Sequence, residues 1–159
     1  MEELKKELSK VWNPEMVDHC LKSSKYIKID DYFVDVCNPK PRIEKRLWFD
    51  DEQKSPEKTK EYFLNYNYKN MPRKFNADEN NVYIATQYYR QPADCKLANI
   101  TTTRFDDIPS SYIKKLNADE ITLINNAVEE VNTDYKKRLE TYWKKYETKI
   151  HCSGYWVNR

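Results

Sequence analysis

The chain has 159 residues, 39% of them hydrophobic and 34% charged, and its 28 basic against 26 acidic side chains leave a net charge of +2. That length predicts a single compact domain spanning 1–159, thirteen tyrosines and five phenylalanines exclude a disordered composition, and near-balanced charge removes any global demand for nucleic acid or membrane. One glycine and two histidines leave no Gly-rich phosphate cradle, dinucleotide fingerprint or nucleophile elbow, and little scope for imidazole base chemistry.

The opening "MEELKKELSK" alternates charge and lacks an apolar signal region, so a soluble, cytoplasmic protein is expected. Leu4, Leu8 and Val11 share one helical face. Asn13 and Pro14 suit the cap and first position of a second helix through Met16, Val17, Cys20 and Leu21. "KYIKIDDYFVDVC" reads as two strands split at Asp30-Asp31, and Ile43, Leu47 and Phe49 mark a third strand candidate. Ser55 and Pro56 open a short helix. Residues 82–90 and 95–105 predict strands joined by a turn near Pro92, and "PSSYIKKL" predicts a short helix after Pro109.

Asn117 then caps the clearest element. Ile121, Ile124, Val128, Val131, Tyr135, Leu139, Tyr142 and Tyr146 recur at three- and four-residue steps over roughly 30 residues. At ~1.5 Å per residue that helix runs ~45 Å, against a diameter of about 40 Å for a globule of this length. Its stripe therefore backs the whole sheet or meets a second copy in a homodimer. The closing "IHCSGYWV" alternates like a last strand bending at Gly154. The expected class is α+β, a mostly antiparallel sheet packed against a long C-terminal helix with shorter N-terminal helices.

Reactive chemistry finds weak footing. His151 and Cys152 are neighbours in a strand reading, so their side chains point apart. The doublets His19-Cys20 and His151-Cys152 lack the two-to-four-residue spacing of zinc ligands. Four scattered cysteines without a CxxC read as free thiols. Asp50, Asp51 and Glu52, with Asp106 and Asp107, sit where turn-forming Asp is common and a Mg²⁺ nest is not. No enzymatic activity, metal or cofactor is expected. Lys136, Lys137, Arg138, Lys144 and Lys145 on the long helix, interleaved with aromatic rings, are candidates for self-association or for contact with nucleic acid. The tyrosine excess points instead to interface anchors, with Tyr88 and Tyr89 flanked by acidic turns that suit a basic protein partner.

"KRLWFDDEQKSPEKTKEYFLNYNYKNMPRKF" and "YWKKYETKIHCSGYWVNR", in a chain of this length rich in Lys, Asn, Ile and Tyr, resemble the small anti-CRISPR proteins of staphylococcal phages and mobile elements, specifically type II-A inhibitors of the nuclease Cas9. The resemblance implies a protein of host-defence evasion that binds guide-loaded Cas9 in the bacterial cytoplasm and catalyses nothing. Inhibitors of this kind cover either the PAM-reading groove or the HNH nuclease domain. Near-neutral charge disfavours DNA mimicry, so occlusion of HNH is expected. Asp50, Asp51, Glu52, Asp106 and Asp107, with Tyr88 and Tyr89 as anchors, are the candidate contacts on compositional grounds. The alternative is a nucleic-acid-binding regulator from the same kind of element.

Overall fold

The computed structural model describes residues 2–44, 56–76, 81–86, 92, 94–102 and 113–152, with side-chain surroundings through 147. The elements run α1 (Glu2–Ser9), α2 (Pro14–Ser23), β1 (Lys25–Ile29), β2 (Tyr32–Cys37), α3 (Pro56–Tyr68), β3 (Tyr83–Ala85), β4 (Leu97–Thr101), β5 (Ile113–Lys115) and α4 (Ala118–Cys152). The class is α+β, as the sequence predicts. The chain groups into two compact units, Met1–Lys40 with Arg73–Val131, and Pro41–Pro72 with Asn132–Arg159.

The first unit is built on a five-stranded sheet of order β1-β2-β4-β3-β5. β2 and β4 run parallel, and the other pairs are antiparallel. The β1–β2 hairpin turns at Asp30, which takes φ 53°, a left-handed conformation that a short polar side chain tolerates without glycine. Val34, Ile84 and Ala98 from the strands meet Ile121, Ile124 and Val128 of α4 in an aliphatic core. Alternation on the strands and the three- and four-residue rhythm of the helix bring these residues to one layer. A second cluster gathers Leu8, Val17 and Cys20 beneath α1 and α2. The α2 start forms as its sequence demands, with the Asn13 side chain accepting a hydrogen bond from the Met16 amide at 2.8 Å and Pro14 inside the first turn.

The second unit packs α3 against the later turns of α4. Phe63, Tyr135, Leu139 and Trp143 are buried together, and Tyr68, Tyr142 and Tyr146 are partly buried around them. Every expected stripe residue from Ile121 to Leu139 is buried. From Ile121 to Leu139 the stripe is thus covered within the units themselves, and Tyr142 and Tyr146 beyond it are partly buried. The regular spacing continues to Trp143, a core ring the tyrosine pattern did not single out.

Three expectations change. Residues 113–115 form a strand instead of a helix, because Ile113–Lys115 completes the sheet beside β3 and the Leu116 amide donates to the Val82 carbonyl at 2.9 Å. Residues 41–44 are not extended into a ladder, while Leu47 and Phe49 lie outside the described residues. The tail strand gives way to helix through Cys152, since no proline or glycine interrupts residues 118–152 and one more helical turn satisfies backbone groups that a lone strand would leave open. Ser55, residues 87–90 and Gly154 lie outside the described residues.

Candidate functional site

Three large hydrophobic side chains are exposed among the described residues: Leu123 on α4, and Trp12 and Met16 at the junction of α1 and α2. The Trp12 amide donates to the Leu8 carbonyl at 2.9 Å, which ends α1 and sets the indole one residue before the Asn13 cap. In that position a hydrophobic residue often packs against the fourth residue of the helix, here buried Val17. Trp12 is nevertheless 43% exposed and Met16 38% exposed. Val17 and Cys20 turn inward while Met16 faces out, so three of the four expected apolar α2 positions are at least partly buried and one is solvent-facing. Glu15, Asp18 and His19 are exposed on the same helix.

His19 faces solvent, where its Nδ1 lies 3.4 Å from Ser23 Oγ, whereas Cys20 is buried. The doublet therefore splits between surface and core. No group of three His, Cys, Asp or Glu side chains among the described residues could hold a metal ion.

Beneath α2 lies a polar pocket of the core. Ser24 Oγ donates to Asn38 Oδ1 at 2.8 Å, and the Cys37 thiol donates to the Pro39 carbonyl at 3.3 Å. Asp35 lies on β2, its Oδ1 buried with no hydrogen-bond partner. Burial holds its carboxyl above the ordinary carboxylate range, opposed by hydrogen bonds from the Asn38 side chain and the Cys37 amide. Burial also raises the thiols of Cys20 and Cys37 and the phenol of Tyr26. These thiols stay protonated near neutral pH, the opposite of what a nucleophile or metal ligand needs.

The five basic candidates on α4 are all exposed, on one helix of the second unit, as their spacing implies. Their settings differ. Arg138 is committed locally: Nε bonds Asp134 at 3.1 Å, Nη2 donates to the Pro41 carbonyl at 3.3 Å, and the guanidinium lies 5.5 Å from the Tyr135 ring centroid. Lys136 reaches over Tyr68 at 6.0 Å. Lys137, Lys144 and Lys145 point to solvent. Glu140 pairs with Lys60 of α3 at 3.2 Å. Asp50, Asp51, Glu52, Tyr88, Tyr89, Asp106 and Asp107 lie outside the described residues.

Comparison with protein-family models, curated proteins and solved structures finds no match to this chain. Trp12 and Met16 were missed as surface residues because a helical apolar pattern assigns every large side chain to the core. The available signal was the position of Trp12 in the break between two helices. No helix among the described residues is long and apolar enough to cross a membrane.

Proposed function

We propose that this chain is a protein-binding inhibitor of Cas9 that covers the HNH nuclease domain and blocks cleavage of target DNA in the bacterial host cytoplasm. The resemblance of its sequence to staphylococcal anti-CRISPR proteins supplies the partner. The observation that carries a binding role is the half-exposed indole of Trp12 beside exposed Met16, in the acidic company of Glu15 and Asp18. An indole left in water forfeits burial energy at ~25 cal/mol per Å², and tryptophan is enriched among interface hot spots. The carboxylates suit a basic partner surface and would steer the encounter.

The test mixes the purified protein with guide-loaded staphylococcal Cas9. Co-elution and cleavage that stops at a stoichiometric ratio are expected, because a cover acts once per enzyme. Trp12→Ala should weaken binding by at least ~2 kcal/mol, about 30-fold in Kd. No co-elution with undiminished cleavage ends the proposal, and complete inhibition far below one equivalent would mark an enzyme instead. Inhibition that survives Trp12→Ala intact would move the contact to Asp50, Asp51, Glu52, Tyr88, Tyr89, Asp106 or Asp107.

A further inference from the structure

The polar pocket beneath α2 holds a carboxyl with no cation beside it among the described residues. Asp35 meets the Asn38 side chain and the Cys37 amide, and its Oδ1 is buried with no hydrogen-bond partner. The titratable groups that face it are Cys20 from α2, Tyr26 from β1 and Cys37 on its own strand. All three are acids that burial keeps protonated near neutral pH, so none offsets a negative charge. The Lys40 ammonium acts on the Cys37 thiol and not on Asp35. From β4 the register partner of Asp35 is uncharged Asn99.

The same pocket is where the end of α2 meets the β1–β2 hairpin. The Tyr26 hydroxyl shares hydrogen bonds with the side chains of Cys20 and Ser24, and Ser24 Oγ donates to Asn38 Oδ1 at 2.8 Å. The Lys40 amide donates to the Ser23 carbonyl at 2.6 Å. Each of these bonds crosses from the end of α2 to β1 or to the turn after β2, so they part together when the junction opens. Asn38 and Pro39 in that turn are exposed, and a small outward movement there admits water to the carboxyl. A network kept only for packing specificity explains the bonds but not the unpaired oxygen, since a satisfied network leaves none.

We propose that Asp35 works as a proton-operated latch at the junction of α2 with β1 and β2. With the carboxyl neutral the junction closes dry; with it ionised, hydration of the unpaired oxygen favours an open junction, the 38–40 turn parted from the end of α2. Burial raises the carboxyl in the closed form against the opposing hydrogen bonds, so the closed form holds the proton more tightly than the open one. The stabilisation is fully present below the open-form pKa and is lost as pH rises to the closed-form pKa. The latch belongs to the chain alone and stands whether or not Trp12 and Met16 meet a partner.

Hydrogen exchange of the full chain across a pH series, with rates corrected for intrinsic base catalysis, tests it. The Lys40 amide, bonded across the junction, should be less protected than the Leu116 amide bonded to Val82, as expected of a local opening. Its protection should fall with rising pH, by at most about tenfold per pH unit for one proton. Asp35→Asn keeps the shape of the side chain, cannot ionise and should abolish the fall. In the unsubstituted chain the Asp35 carboxyl carbon should titrate above the ordinary carboxylate range, where the fall levels off; this measurement decides even where the variant is unstable. A Lys40 amide as protected as Leu116 at every pH overturns the latch, because the junction then opens only with the whole sheet. So does protection that is flat in pH, a folded Asp35→Asn variant that keeps the fall, or a carboxyl that titrates in the ordinary range.

Discussion

The two units solve the same folding problem with different materials. The first closes an aliphatic core of Val, Ile, Leu and Ala between sheet and helix, and its backbone groups find partners in strand ladders. The second has no strand among its described residues. Its core is rich in rings packed at a tilt, with the Phe63 centroid 5.5 Å from that of Tyr142 and 5.8 Å from that of Trp143. Side-chain amides replace the ladder. Asn67, fully buried, accepts from the Glu44 amide at 2.6 Å and donates to the Glu44 carbonyl at 3.1 Å and the Phe63 carbonyl at 2.9 Å. Tyr135 Oη donates to Asn67 Oδ1 at 3.0 Å or to the Arg42 carbonyl at 2.8 Å. Both backbone groups of Glu44 are thereby satisfied by one asparagine, and the Arg42 carbonyl accepts from Tyr135. A unit without a sheet must hydrogen-bond its loops some other way, because a buried unpaired peptide group is expensive.

That contrast can be broken at four points. Trp143→Ala removes the largest ring of the second core and should cost ~3–5 kcal/mol in denaturant unfolding; a loss below about 1 kcal/mol would mean that the rings do not carry this unit. Asn67→Ala should cost roughly 3 kcal/mol by stripping several buried hydrogen bonds at once. A double-mutant cycle with Tyr135→Phe should then show non-additivity, since both residues serve the same loop.

In the first unit, Asn13→Ala deletes a helix cap and should cost about 1 kcal/mol, measurable as a shift of the urea midpoint with an unchanged slope. The smallest effect belongs to Asp35→Asn and shows as a change of pH dependence. Burial raises the folded carboxyl above its unfolded value, so the native state holds the proton more tightly. Stability from this group is therefore present at low pH and falls as pH rises through the folded pKa. The variant should flatten that fall in a pH series of unfolding curves, and an unaltered slope would place the titration elsewhere.

Local signals were legible wherever a short-range rule settles the outcome. The Asn13 cap, the Asp30-Asp31 turn, and the Asn117 start of α4 all formed. At that last start Asn117 Oδ1 accepts from the Glu120 amide at 2.9 Å and the Glu120 carboxylate accepts from the Asn117 amide at 3.1 Å, the reciprocal box that sequence alone announces. Lysines at fixed helical offsets were likewise readable as one exposed group. Residues 113–115 were not, since three residues with mixed propensity become a strand only when β3 offers an edge. Nor was the role of Asn67, which looks like any polar helix residue until its neighbours are in place.

Amphipathic periodicity, cap chemistry and the aromatic excess follow from the order of residues, because each acts across a handful of positions and carries its own free energy. Which tyrosines and tryptophans are covered, and which amide feeds a distant loop, are decided by tertiary packing. Those outcomes depend on segments far apart in the chain, and only burial distinguishes an aromatic ring that holds the core from one left to meet a partner.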